Sequence, residues 1–378
     1  MINSSLCFRN IGTLKVDEKE GSGCIMDISA HNEPNVSLTE ATPSLQDLNA
    51  KMVQETEKTE DKIVYKTLME GINQTQIATF ILKGFFYHPK TKTVVFVLLL
   101  IVYLVTLTAN ILFILVTLID TRLHSPMYFF LCNLSVLDLC YSSVSGPTSL
   151  RGLLVKSITI SYSQCIAQMY LALSLGQTEC FLMAVIALDR YVAICHPLRY
   201  HEILNTSVCI KLAIATWMFG FVYSLSSLIV LPLVDFCGHN VIDHTYCEAE
   251  AVAHLFCLKF HFIDIMTPVL AFVSLVSPIS LILFTYFQII ATILRMPTAE
   301  SRHRAFATCG SHLVVVTLFY GTLMGNYFMP KSRDPSEEHK AISIFYSLGV
   351  PALNPLIYTL RNKEVHRSIK KLYKLTKS

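Results

Sequence analysis

Seven apolar stretches, each about as long as a bilayer is thick, constrain this chain more than any single motif. They are Val94 to Ile119, Pro126 to Val144, Ile166 to Leu188, Ile214 to Leu233, Ile263 to Ile293, Phe306 to Phe328 and Ala341 to Leu360. A hydrocarbon core needs about 20 consecutive, mostly apolar residues per helix, because every backbone polar group must be satisfied within the span. With 53% hydrophobic and 15% charged residues over 378 positions, the chain is too apolar for an ordinary soluble protein. The predicted fold is an all-α membrane protein, a seven-transmembrane helix bundle.

An odd number of spans puts the termini on opposite sides. Arg122, Arg190, Arg199, Lys211, Arg295, Arg302 and Arg304 flank alternate loops, and the tail carries Arg361, Lys363, Arg367, Lys370, Lys371, Lys374 and Lys377. Basic residues collect on the cytoplasmic side, so we expect a multi-pass plasma-membrane protein with its N-terminus outside and its C-terminus cytoplasmic. The net charge of +3 then reflects asymmetry across a membrane. Without a Gly-rich phosphate loop or an aromatic-basic sheet pattern, nucleic acid is not an expected partner, whereas membrane lipid is.

Composition divides the chain further. Residues 1–68 are polar, mixed in charge and without a sustained apolar period, which reads as disorder; nothing there resembles the apolar core of a cleavable signal peptide. Residues 69–93 form an outer segment with the glycosylation sequon Asn73-Gln74-Thr75. Asn3 and Asn35 also head sequons, while Asn205-Thr206-Ser207 falls on the cytoplasmic side and should stay bare. Residues 94–361 are the bundle, and in the tail, 362–378, a short eighth helix from Lys363 to Leu375 is basic and amphipathic enough to rest on the membrane.

Of twelve cysteines, Cys165, Cys237, Cys247 and Cys257 fall on the outer, oxidising side. Four cysteines allow three pairings, and sequence alone does not choose. Cys132, Cys140, Cys180, Cys195, Cys209 and Cys309 lie in spans or at the cytoplasmic face and read as small buried hydrophobes; Cys7 and Cys24 can be free or paired.

Ionisable and polar groups inside spans mark packing networks or function. Asn110, Asp138, Glu179 and Asn354 fall in the first, second, third and seventh spans. Two carboxylates at similar depth repel unless a proton is shared or a cation such as Na⁺ lies between them. The plainer alternative is that Asn110, Asp138 and Asn354 only hydrogen-bond helices together. Pro355 removes a backbone hydrogen bond and opens a kink where Asn354 can supply a partner, and Pro351 precedes it by one turn. Such a double break is either a static kink or a bend between two states. Asp189-Arg190-Tyr191 lies one crossing below Cys165, about 37 Å at about 1.5 Å per residue, at the cytoplasmic mouth. There an arginine can pair with its neighbouring acid, snorkel to water, or reach a bound protein.

Four strings in order, "PMYFFLCNLSVLDLC" (126–140), "MAVIALDRYVAICHPLRY" (183–200), "RAFATCGSHLVVVTLFYGT" (304–322) and "PALNPLIYTLRNKEV" (351–365), resemble the signatures of olfactory receptors, within the rhodopsin-like G-protein-coupled receptors. The resemblance runs from about Asn73 to the C-terminus. It implies a receptor for small, mostly apolar odorants that activates a stimulatory, olfactory-type G protein and raises cAMP. It implies disulfides Cys165–Cys247 and Cys237–Cys257, and a sodium-type site at Asp138 and Glu179 with Asn110 nearby. Asp189, Arg190 and Tyr191 would face the G protein once the sixth helix moves outward. Tyr286 and Tyr358 would help hold that state, Asn354 and Pro355 would form the seventh-helix switch, and Tyr320 would stand where many relatives have a switch tryptophan. An odorant pocket between helices three, five and six would be lined by Leu173, Gly176, Gln177, Ser274, Met324 and Tyr327.

Several positions depart from the family pattern. Ala109 replaces the usual Gly before Asn110, Leu188 precedes Asp189, and the tail after Asn362 has no cysteine for a palmitoyl anchor. "MEGINQTQIATF" begins at Met69, which we expect to be the usual start. "HTYCE" (244–248) resembles a metal-binding pattern of the outer loop, but Cys247 cannot ligate a metal while in a disulfide, so no metal is expected. A transporter or channel, the alternative class, would show inverted repeats with matched broken helices, and the chain has no internal repeat. No nucleophile–base set or metal triad falls in one span, so an enzyme is not expected.

Overall fold

The computed structural model describes residues 78–84, 89–231, 236, 240–253, 255–256, 261–328, 337–361 and 363–375. Asn73, Cys237, Cys257 and the side chain of Tyr327 lie outside the described residues, as do residues 1–77. Among the described residues seven long helices form a bundle: α1 (Pro89–Ile119), α2 (Pro126–Leu154), α3 (Tyr162–Cys195), α4 (Thr206–Val230), α5 (His261–Leu294), α6 (Ala299–Phe328) and a composite α7. The last joins Glu337–Ile344, a π-helical segment Phe345–Gly349 and Val350–Arg361. A short α8 (Lys363–Leu375) follows.

Local sequence explains where the helices start. Asn205 caps α4 by accepting from the Val208 amide at 3.0 Å, so this sequon side chain is engaged in the fold. Ser161 and Gln164 form a capping box at α3, with bonds of 3.3 and 3.5 Å. Pro126 occupies the first turn of α2, where its missing N–H costs nothing.

Six helices carry an apolar window long enough to cross a membrane, while on α6 the apolar run is the shorter Cys309–Gly325. The first turns of α6 hold Glu300, Arg302 and His303, which keep the helix going beyond its apolar part. Large side chains such as Leu118, Ile229 and Phe287 point outward, 66%, 67% and 70% exposed. A continuous exposed apolar girdle of this kind belongs in lipid; the protein is a multi-pass membrane protein. By contrast, α3 has 67% of its apolar window buried against 11% for α1, which makes α3 the axis of the bundle. At Gly220, α4 presses directly on α3. A Cβ there would fall 2.6 Å from the Ser174 carbonyl and collide with the Thr178 hydroxyl, the close approach that small residues permit between membrane helices.

The π segment of α7 stands just before Pro351, and Pro355 leaves the Pro351 carbonyl without its usual intrahelical donor. The Asn110 amide nitrogen fills that gap, donating to the Pro351 carbonyl at 3.1 Å while also donating to Thr106 at 2.9 Å. This corrects the sequence reading, which gave the role to Asn354. A side chain on the same helix is held near its own backbone, whereas α1 reaches across to the exposed carbonyl.

A small sheet at the disulfide end adds to the all-helical expectation. Strand β1 (Thr79–Lys83) pairs antiparallel with β2 (Ser157–Ser161) and parallel with β3 (Val241–Ile242). Phe80 and Leu82 of β1 point into a satellite core with Ile158, Ile242 and Cys247. The alternation "TFILK" suits a half-buried strand.

Candidate functional site

At the disulfide end, Cys165 at the start of α3 is bonded to Cys247, which settles one of the pairings that composition left open. The Cys247 amide also donates to Gln168 Oε1 at 2.9 Å, and Gln168 Nε2 donates to the Val144 carbonyl of α2 at 2.7 Å. The loop from 243 to 248 is pinned to α7 by charge. Lys340, fully buried, reaches Asp243 at 2.7 Å, His244 lies 2.9 Å from Glu248, and Ser343 donates to Glu248 at 3.0 Å. Burial alone would push the Glu248 carboxyl up, but the charge and hydrogen bond of His244 and the hydroxyl of Ser343 bring it below its ordinary value. With Cys247 in the disulfide, the "HTYCE" side chains are spent on structure.

In mid-bundle three of the four predicted polar residues, Asp138, Glu179 and Asn354, come together, while Asn110 bonds the Pro351 carbonyl of α7. The Asn354 amide donates to both oxygens of Asp138 at 3.0 and 3.2 Å, and Asp138 interacts with Glu179 across the α2–α3 contact. All four are at most 2% exposed. Two acceptors are left over: Glu179 Oε1 and Asn110 Oδ1 are buried without a hydrogen-bond partner. An orphaned carboxylate oxygen beside a second carboxylate, as at Glu179, is an acceptor that a small monovalent cation would satisfy.

At the opposite end of α3, Arg190 is 5% exposed, its Nε has no hydrogen-bond partner, and it lies 3.9 Å from Asp189. Asp189 accepts a short bond, 2.6 Å, from the Tyr200 hydroxyl in the loop beyond. Tyr191 turns to His196, hydroxyl to Nε2 at 3.3 Å. Hydrogen bonds from tyrosines tie α6 to its neighbours, among them one from Tyr286 of α5 to the Cys309 carbonyl at 3.2 Å. The Tyr286 hydroxyl of α5 sits 2.9 Å from His312 Nδ1, with the rings stacked, and Tyr320 donates to the Cys180 carbonyl of α3 at 3.2 Å. Tyr358, close enough to Arg190 to feel its charge, has a buried hydroxyl without a partner. Thus Arg190 Nε and Tyr358 Oη are both without a hydrogen-bond partner, each at a cost of roughly 1–3 kcal/mol. Tyr200 and His312 were not singled out in the sequence, although both stand inside the quoted strings.

The five predicted pocket residues whose side chains are described, Leu173, Gly176, Gln177, Ser274 and Met324, do not share one wall. Leu173 packs on the satellite core. A Cβ on Gly176 would fall 3.1 Å from the Tyr346 hydroxyl of α7 and 3.9 Å from Tyr141 of α2. Gln177 buries an Oε1 without a hydrogen-bond partner, Ser274 of α5 is buried beside Tyr223 of α4, and Met324 is 45% exposed. Two cavities of about 460 and 450 Å³ lie elsewhere, at the Arg190 end between α2 and α4, around Phe129, Ile210 and Trp217 and around His124, His201 and Cys209.

Beside α1, Asp120 joins α8 to the bundle. It accepts from the Ser368 hydroxyl at 2.7 Å and from the Arg122 guanidinium at 3.2 Å. Chiefly through Ser368, then Arg122, and against its burial, its carboxyl is held down at about 2 from 3.8. A depressed carboxylate stabilises docking fully above its undocked value and loses that contribution as pH falls through its docked one. The protection factor over 363–375, exchange corrected for the intrinsic pH dependence of amide exchange, should therefore be flat from pH 7 to about 4 and should fall from there down to about 2. Asp120→Asn should remove that step; a step that survives the substitution would assign it to another group.

Known proteins agree with this geometry. The sequence model of the olfactory receptor family matches residues 99–376. Human olfactory receptor 2K2 is 45% identical over 304 residues, 80% of this chain and 96% of the relative. Human olfactory receptor 2H2 is 44% identical over 301 residues, 80% of this chain and 96% of the relative. Squid rhodopsin superposes with a TM-score of 0.61 at 15% identity, covering 77% of this chain and 87% of that one, which shows a shared fold. The seven-helix bundle, the Arg190 end and these matches place the chain in the olfactory receptor family, and it is a rhodopsin-like signalling receptor rather than an enzyme.

Proposed function

We propose that this chain is an odorant-activated receptor that binds small, mostly apolar molecules between α3, α5 and α6 and activates a stimulatory, olfactory-type G protein, raising cAMP. The observation that carries the reading is the enclosed, incompletely bonded Arg190 beneath α6. Outward movement of α6 would break the Tyr286–His312 and Tyr320–Cys180 bonds and free Arg190 to meet acceptors on a G protein. A ligand drives that shift only as far as it binds the open form better. In the proposed chamber, Gln177 Oε1, buried without a hydrogen-bond partner, is an unspent acceptor for a ligand hydroxyl. The N-terminus lies outside and the C-terminus in the cytoplasm, in keeping with the basic residues of alternate loops. Asn73 carries the glycan. Cys237 pairs with Cys257, a pairing supported by the antiparallel bridge between their chain neighbours Phe236 and Phe256.

Cells expressing the chain are tested for cAMP against an odorant panel, with Gln177→Leu alongside. Responses to hydroxyl-bearing ligands should fall selectively in the variant. An unchanged ligand profile would remove Gln177 from the chamber, and ligand-evoked ion current without a G protein would overturn the reading.

Asp138, Glu179 and Asn110 would hold Na⁺, which supplies a positive charge between two carboxylates in the resting form. Replacing Na⁺ with a bulky organic cation should lower the melting temperature of the purified receptor by a few degrees, and Glu179→Gln should abolish the difference. For Na⁺ at about 100 times its Kd the linkage is about 2.7 kcal/mol. Equal melting temperatures in both salts would sink the site.

A further inference from the structure

Helix α8 carries a polar residue where its pattern calls for an apolar one. Val365, Ile369 and Leu372, at helical spacing, pack on the main core, and Ser368 stands on the same stripe, 5% exposed. His366, Arg367, Lys370 and Lys371 cover the exposed side. The Ser368 hydroxyl is spent on one contact, the 2.7 Å bond it donates to Asp120. A second bond, from Tyr128 to Glu364 at 3.1 Å, fixes the start of the helix. With 13 residues, α8 is at the margin of independent helix stability and depends on its docking.

We propose that Ser368 is a phosphorylation site, modified by a protein kinase that recognises basic residues beside its acceptor, and that the phosphate releases α8 from the bundle. The Ser368 oxygen attacks the γ-phosphorus of ATP, the new O–P bond forms as the bond to the ADP oxygen breaks, and the hydroxyl proton passes to the kinase base. The product has no donor left for Asp120 and sets a dianion against a carboxylate. Arg122, the guanidinium at that contact, is already held by both Asp120 oxygens at 3.2 Å. The second effect has the same sign. Arg367, Lys370 and Lys371 on the exposed side suit an anionic leaflet, and a phosphate on the same helix weakens that attraction as an electrostatic switch. Access requires only that the terminal helix open locally, as weakly docked end elements do.

Phosphorylation in a cell rests on the cytoplasmic placement of the tail proposed above, so the test uses purified full-length receptor in phosphatidylcholine–phosphatidylserine nanodiscs, where orientation does not matter. Receptor and a peptide of residues 361–378 are incubated with ATP and a basic-directed serine/threonine kinase. Sites are then read by mass spectrometry and α8 by hydrogen exchange. The peptide should be labelled, the receptor should be labelled at Ser368, and Asp120→Asn should accelerate labelling several-fold. Loss of one charge-assisted bond is worth roughly a factor of ten, so exchange over 363–375 should rise by more than about tenfold in the phosphorylated protein and in Ser368→Glu, which lose the bond and add a repelling charge. Ser368→Ala, which loses the bond but gains no charge, should show a smaller rise, and Asp120→Asn should suppress part of the Ser368→Glu effect. Label on the peptide but not on Ser368 of either receptor would overturn the proposal, as would Ser368 phosphate without faster exchange. Protease access to a C-terminal tag in intact and permeabilised cells reads the orientation separately.

Discussion

Arg190→Ala abolishes the ligand-evoked cAMP response while surface expression stays close to that of the parent chain. The two halves of this expectation follow from the same geometry. In the closed bundle Arg190 contributes little to stability: its Nε has no hydrogen-bond partner and its carboxylate neighbour is 3.9 Å away. An ion pair that long repays little of the desolvation of its charge. Asp189 keeps its 2.6 Å bond from Tyr200 when the arginine is gone. In the open form the guanidinium is the fixed cation presented to a partner, and charge-assisted bonds of that kind are worth about 1.5–3 kcal/mol each, roughly ten- to a hundredfold in coupling. Lysine should restore only part of the response, since it cannot present the planar fork. A full response from Arg190→Ala at equal surface expression would remove Arg190 from the coupling surface.

Cys165→Ser should fail earlier, at folding. The bond to Cys247 closes a sequence separation of 82, for which chain entropy gives on the order of 4–5 kcal/mol. Whole domains are stable by only about 5–15 kcal/mol. Losing the bond also frees the Cys247–Gln168 bond and loosens the Lys340–Asp243 and Glu248–Ser343 contacts that pin the loop to α7. Surface expression, measured by antibody staining of intact cells, should collapse. Cys247→Ser should match it, and the double substitution should be no worse, because both remove one bond. Normal display of Cys165→Ser would contradict the structural role of the bridge.

The spans were legible because hydropathy is a local property, and each apolar stretch became a helix. The ends were less so. Helix α3 runs four residues beyond its apolar stretch at the start, where Ser161 and Gln164 cap it, and α6 starts at Ala299 through polar residues that water supports as well as lipid. The sheet was missed because "TFILK" is too short to stand out beside the apolar run that follows it, and its partners β2 and β3 are distant in sequence. The polar centre was half legible. That Asp138, Glu179 and Asn354 meet follows from depth in the membrane, but which amide serves which acceptor depends on helix rotation. Asn110 reaches the carbonyl freed by Pro355, and Asn354 turns to Asp138. The chamber was the least legible part. Gly176 faces Tyr346 and Tyr141 and Met324 is largely exposed, because positions along a helix do not fix the direction of a side chain until its neighbours are placed.

The most direct measurement is GTP exchange on a purified stimulatory, olfactory-type G protein by the receptor in nanodiscs, with and without an odorant active in cells. The odorant should accelerate exchange, and Arg190→Ala should return it to the ligand-free rate. Exchange that the odorant leaves unchanged, or acceleration that persists in Arg190→Ala, would contradict a receptor whose output passes through Arg190.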